Sequence, residues 1–227
     1  MIKYILLEVR KMRIGIIGPI GSGKSTLSHL LSSYYNVPLV KEPVESSPFL
    51  PLFYADKKKF ALISQSAFYS ELFLSMWETK DEKFLVCDST MFSNLVFAEL
   101  LRKENMMTDE EVELTYKIAE AHMKLIPDLD LHIVLVRDEE SLFDNVRKRS
   151  RHLEKGQYDY LKFHYKYYSE VLEKVFKRYN TPKEKILYLK VDNMFNQLHF
   201  NDLVLQIEEQ YHKSVNQQQS LTFDINN

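Results

Sequence analysis

Gly18-Pro19-Ile20-Gly21-Ser22-Gly23-Lys24-Ser25-Thr26 has the spacing Gly, four residues, Gly-Lys-Ser. A loop of this kind bends so that successive backbone N–H groups point at phosphates. Lys24 then reaches the outer phosphates and Ser25 a bound Mg²⁺, while Gly18, Pro19, Ile20, Gly21, Ser22, Gly23 and Thr26 complete the cradle. Chance would produce the spacing about once in a hundred chains of this length. The flanks agree with the letters. Ile14-Gly15-Ile16-Ile17 reads as a buried parallel strand before the loop, and Ser25 to Tyr34 as a helix after it. A merely flexible turn is a poor reading, because the chain has 5 glycines and Gly15, Gly18, Gly21 and Gly23 all lie in this strand and loop. The stretch predicts a protein that handles a nucleoside triphosphate, with ATP and Mg²⁺ as its ligands.

Around the cradle, 227 residues with 45% hydrophobic content supply one domain with a sizeable core, and no Pro/Gly/Ser-rich linker divides them. A formal charge of -2 gives no general attraction to nucleic acid or anionic membrane. The lone cysteine, Cys87, excludes an internal disulfide framework and a multi-cysteine zinc site, which fits a reducing, cytoplasmic setting. Residues 1–11 carry too short an apolar stretch to span a bilayer and lack a small-residue cleavage site. We read them as an N-terminal extension, with Met12 as the start of a minimal domain over 12–210. Residues 211–227, rich in Gln, Asn and Ser, read as a flexible tail.

Apolar runs alternate with helical patterns along 12–210. Strands are predicted at Pro38-Leu39-Val40, Phe84 to Cys87, Leu131 to Val136 and Ile186 to Leu189. Helices are predicted at Lys57 to Thr79, Met91 to Lys103, Asp109 to Leu125, Glu139 to Lys148, Asp159 to Tyr179 and Gln197 to Gln210. This is an α/β pattern: a P-loop NTPase-type parallel sheet of about five strands, helices on both faces, and a small lid. Ligands in such sheets sit beyond the carboxyl ends of the strands. Glu42 follows the second run there and Asp88 the third. A neutral hydroxyl acceptor needs a base as its bond to phosphorus forms, so Glu42 is the candidate base and Asp88 the Mg²⁺ partner. Asp88 is also placed to cap the helix from Met91. Downstream, Asn145-Val146-Arg147-Lys148-Arg149-Ser150-Arg151 is a basic helix end. Beside a triphosphate it reads as a lid in which Arg149 and Arg151 neutralise transition-state charge, with Arg147 left unassigned.

These motifs, in this order, resemble the deoxynucleoside kinase family, especially its bacterial deoxyadenosine and deoxyguanosine kinases. The resemblance runs from about Met12 to about Asn193. It rests on GPIGSGKST, on KEPVESSPFLPLFYADKKKFALISQ, on LVCDST and on RKRSRHLE. The cradle is generic, whereas the spacing of Glu42-Pro43, Tyr54 and Gln65 is far more specific. The resemblance implies ATP-dependent phosphorylation of a purine deoxynucleoside in nucleotide salvage. Glu42 would then act as base for the 5′-hydroxyl, Tyr54 and Glu154 hold the 3′-hydroxyl, and Gln65 and Asn94 lie at the base. It also implies a homodimer, with the helix from Lys57 contributing. Phe68 and Phe97 are left out of the site, since aromatics on an apolar helical stripe are more often core.

The chain departs from the family pattern at Ser89, where an arginine is expected after the acidic residue. Leu72 stands for another arginine, Asn94 for an acidic residue in the base pocket, and Asn145 for a lid arginine. Losing a preorganised cation costs on the order of 2–4 kcal/mol in the transition state. Two alternatives therefore stand beside the deoxynucleoside kinase: a thymidylate-kinase-like nucleoside monophosphate kinase, and a nucleotide-binding protein with impaired catalysis.

Overall fold

A computed structural model describes residues 11–42, 47–149 and 156–225. Its strands are β1 (Met12–Ile17), β2 (Leu39–Val40), β3 (Phe84–Cys87), β4 (Leu131–Val136) and β5 (Ile186–Lys190), in one sheet of order β2-β3-β1-β4-β5. Every pairing is parallel. The expected five-stranded α/β sheet is therefore present, with the strand before the cradle at its centre.

Each face of this sheet has its own core, and strand alternation assigns the residues. Met12, Ile14 and Ile16 of β1 pack with Leu27, Leu31, Leu203 and Ile207. Ile17, Leu85 and Cys87 face the other way, into a cluster with Leu95, Leu172 and Val175. Helices α1 (Lys24–Tyr35) and α8 (Gln197–Ile225) supply the first cluster, and α4 (Met91–Lys103) and α7 (Tyr158–Arg178) much of the second. Fully burying one such aliphatic side chain contributes about 1.5–3 kcal/mol, so both faces hold the central strand firmly under the loop.

The remaining helices are α2 (Leu50–Ala55), α3 (Lys57–Glu78), α5 (Asp109–Met123) and α6 (Glu139–Arg149), with a 3₁₀ turn at Lys183–Lys185. Sequence signals start several of them. Asp56 caps α3 by accepting from the Lys59 amide at 3.0 Å. Thr90 with Ser93 and Thr108 with Glu111 form reciprocal capping boxes for α4 and α5, each satisfying otherwise orphaned N–H groups.

Two elements differ from expectation. Helix α2 lies in a stretch where the sequence predicts no element, and its proline sits in the first turn, where the missing N–H costs nothing. Helix α8 does not stop at Gln210 but runs to Ile225, because the sequence beyond Pro182 contains no glycine or proline to end it. Within the expected tail, Tyr211 packs on the first core cluster and donates its hydroxyl to the Lys11 carbonyl, and Ser214 is buried. Most of the expected N-terminal extension, residues 1–10, lies outside the described residues.

Candidate active site

The cradle sits between β1 and α1, at the carboxyl edge of the central strand. Gly21 and Gly23 have φ of 86° and 98°, in the left-handed region that L side chains avoid. A Cβ on Gly21 would stand 2.7 Å from the Leu142 carbonyl oxygen, so the loop can be this tight only with glycine. Gly23 precedes α1, which has no side-chain cap and no acidic residue in its first turn. The amides at the start of α1 thus face the loop without a side-chain acceptor, which is the donor set an anion requires. Lys24 is buried, and its ammonium donates to the carbonyls of Gly18 at 2.9 Å and Pro19 at 3.3 Å.

Asp88 follows β3, the neighbour of β1. The structure corrects its second expected role: α4 is capped by Thr90, not by Asp88. The Asp88 carboxylate is buried and its Oδ1 has no hydrogen-bond partner among the described residues. A buried, unpartnered carboxylate oxygen beside a phosphate cradle fits a cation. No group of three or more His, Cys, Asp or Glu among the described residues could hold a metal by itself. A Mg²⁺ here would therefore take much of its shell from water and phosphate oxygens, as that ion ordinarily does.

Beside the cradle lies a cavity assembled from elements far apart in sequence. Glu42 comes from beyond β2, Tyr54 from α2, Gln65 and Phe68 from α3, and Asn94 and Phe97 from α4. Gln65 is buried, with Oε1 unpartnered among the described residues, so an amide acceptor is available to a ligand. Tyr54 is held edge-on by Phe53 and Tyr160, with ring centroids 5.5 and 6.2 Å away. Phe68 and Phe97, set aside as core by sequence, line this cavity. Leu72 instead is wholly buried in the apolar core, so the position of the expected arginine has become a packing residue. The cavity holds about 90 Å³, below the roughly 300–1,000 Å³ of typical small-molecule sites, so a ligand of nucleoside size requires it to open.

A second, wider groove runs along the cradle itself, lined by Gly21, Gly23, Ser25 and Thr26 on one side and by Arg137, Lys148 and residues 192–195 on the other. Arg137 was not singled out by sequence. It fixes the groove wall by donating to the carbonyls of Val191 at 3.1 Å and Asp192 at 2.5 Å. Asn145, standing where a lid arginine is common, donates from Nδ2 to the Gly21 carbonyl at 2.9 Å and so ties α6 to the cradle. Arg147 pairs with Asp144 on its own helix. Burial raises the pKa of the Tyr168 hydroxyl of α7, the Gly18 amide opposes this and the charge of Glu42 adds to it. Arg151 and Glu154 lie outside the described residues.

Lys24, Glu42 and Arg149 line both the cavity and the groove. A cation from the cradle, a carboxylate from the end of β2 and a guanidinium from the end of α6 thus meet where the two spaces join. Ser89, where the arginine is absent, is buried with its hydroxyl unpartnered among the described residues. The arginine of that junction therefore comes from α6 and not from the β3–α4 turn.

The deoxynucleoside kinase family model matches residues 14–213. A deoxyguanosine kinase from Lactobacillus acidophilus is 33% identical over 173 residues, which span 71% of this chain and 75% of that protein. A deoxyadenosine kinase from the same species is 25% identical over 205 residues, covering 86% and 94% of the two chains. Among solved structures, a deoxyadenosine kinase from M. mycoides with bound dATP superposes with a TM-score of 0.70 at 23% identity, covering 86% of this chain and 98% of the other.

Proposed function

This chain belongs to the deoxynucleoside kinase family and is a phosphotransferase, and we propose that it moves the γ-phosphoryl of ATP to the 5′-hydroxyl of a purine deoxynucleoside. The observation that carries this reading is the junction of Lys24, Glu42 and Arg149 between groove and cavity. A phosphoryl group passing from one space to the other has to cross it. The purine preference rests on the relatives, which are named deoxyguanosine and deoxyadenosine kinases.

In this mechanism the cradle amides and Lys24 hold the triphosphate, and Glu42 accepts the proton of the attacking hydroxyl as its bond to phosphorus forms. Arg149 neutralises charge on the transferring group, in the role that an arginine at Ser89 would otherwise fill, with Arg151 of the same segment as its partner. Gln65 and Asn94 face the base, while Tyr54 and Glu154 hold the sugar. Ser25 and Asp88 would hold Mg²⁺, whose charge offsets that of the phosphate oxygens. Closure of the α6 end excludes water before transfer.

The protein acts as a homodimer in this reading. Ile63, Leu74 and Trp77 are exposed large apolar side chains on α3, and their spacing puts them on one face of the helix. Sedimentation at micromolar concentration is expected to give twice the chain mass, and a monomer would remove the dimer. No helix among the described residues is long and apolar enough to cross a membrane.

The function is tested by ADP release with Mg·ATP over deoxyadenosine, deoxyguanosine, deoxycytidine, thymidine and their monophosphates. Turnover on a purine deoxynucleoside is expected. Turnover confined to a monophosphate would move Glu42 from base to binding group, and ATP binding without any turnover would overturn the kinase reading.

A further inference from the structure

A cavity of about 550 Å³ lies away from the nucleotide site and shares no lining residue with it. Its walls come from the start of α4, the ends of α5 and α7, the loop before β4 and the turn before β5. Phe92 lies against His132 at 4.9 Å with 14° between the ring planes, and against Tyr179 at 5.0 Å and 25°. These near-parallel rings form a stack that a further flat ring can extend.

The polar groups of the cavity are the second observation. His132 is more than nine-tenths buried and its Nδ1 has no hydrogen-bond partner among the described residues. The Tyr179 hydroxyl and the Thr181 Oγ1 are buried and unpartnered in the same way. Buried polar atoms ordinarily find partners, and three unsatisfied ones around a single cavity describe a site that lacks its complement. Burial, with Lys185 adding to it, pushes the His132 ring down to about 3, so the imidazole is neutral and offers one donor and one acceptor. At the rim Arg178 is engaged by Glu113 and Glu120. Lys124, Lys185 and Asp128 supply charges of both signs, so the cavity has no single-signed field to select an anion.

We propose that this cavity is a second ligand site, taking a neutral flat heteroaromatic molecule with donors and acceptors on its edge, in the chemical class of a nucleobase, either free or carried by a nucleoside. The ring stacks on the Phe92 cluster while its edge meets His132, Tyr179 and Thr181. The ligand thereby touches the segment Thr90 to Phe92, which continues directly from Asp88 and Ser89 of the nucleotide site.

Methionines make the test local, since Met76, Met91 and Met123 line this cavity and Met194 lines the nucleotide groove. The full chain is labelled with ¹³C-methyl methionine and saturated with dATP in the absence of Mg²⁺, so that no phosphoryl group is transferred, and dATP binding is read at Met194. Adenine, guanine, deoxyadenosine and deoxyguanosine are then titrated separately. Saturable shifts of Met76, Met91 and Met123 with Met194 unchanged are expected, and comparing bases with nucleosides identifies the form bound. Tyr179→Phe removes one hydroxyl and nothing else, and should weaken that binding about threefold to tenfold while the other methyl signals keep their positions. Absence of shifts at the three methyls up to the solubility limit, shifts at Met194 alone, or binding indifferent to Tyr179→Phe would overturn the site and leave its polar groups to ordered water.

Discussion

The phosphate cradle and the acceptor cavity stand side by side and are built on opposite principles. The cradle is a contiguous loop whose working parts are backbone amides, held by left-handed glycines and by the start of α1. The cavity is a convergence of side chains from the segment after β2 and from α2, α3 and α4, brought together by the packing of the second core. The cradle therefore tolerates almost no local change but owes little to distant sequence, whereas the cavity can be retuned one residue at a time. Leu72 illustrates this freedom: a position at which a charge was expected has been absorbed into the apolar core without disturbing the fold.

The sharpest way to break the comparison is at the junction. Glu42→Gln keeps shape and removes the base, so kcat should fall about 10²- to 10⁴-fold while ATP affinity stays within twofold, as read by equilibrium binding and single-turnover kinetics. Undiminished turnover would take Glu42 out of the mechanism. Arg149→Ala should lower kcat about 10- to 10³-fold, and because Arg149 lines both spaces the loss should persist at saturating ATP and acceptor. A loss confined to KM would reduce Arg149 to a binding group.

Gly21→Ala tests the backbone side. The substitution imposes a left-handed penalty of about 1–2 kcal/mol and drives a methyl toward the Leu142 carbonyl 2.7 Å away. ATP affinity should fall on the order of tenfold or more, with the circular dichroism of the fold unchanged. Gln65→Leu tests the side-chain side: KM for the deoxynucleoside should rise up to about tenfold with ATP affinity untouched. If Gln65→Leu weakens ATP as strongly as Gly21→Ala does, the two regions are not separable.

The same division explains what the sequence made legible. The strand, loop and helix around Gly18 to Thr26 were readable because apolar runs and glycines specify backbone directly, and Glu42 and Asp88 followed from their places at strand ends. Thr90 displaced Asp88 as the cap because a hydroxyl two residues nearer the helix reaches the Ser93 amide at 3.1 Å, a difference of two positions that element boundaries read from sequence do not resolve. Tyr54 and Gln65 carried no local signal and entered through family resemblance. Phe68 and Phe97 were set aside because a helical stripe looks the same whether it faces core or cavity. Arg137 acts through a contact across more than fifty positions, and no local pattern reports such a contact.

The smallest expected effect belongs to a residue in neither region. His132 is neutral in the folded chain down to about pH 3 because burial, aided by Lys185, opposes its charge. In the unfolded chain it titrates near the ordinary value of about 6.5. Below that value the unfolded state binds the extra proton, so stability is intact above pH 6.5 and declines toward about 3. The slope is at most about 1.4 kcal/mol per pH unit. His164, also pushed down by burial with Glu104 opposing, adds to the same slope. Urea denaturation at pH 7, 6 and 5 should show the decline, and His132→Gln should flatten part of it without altering the pH dependence of kcat. A slope unchanged by His132→Gln would show that the ring is already solvated in the folded chain, whereas a displaced kcat profile would tie this distant cavity to the phosphoryl-transfer site.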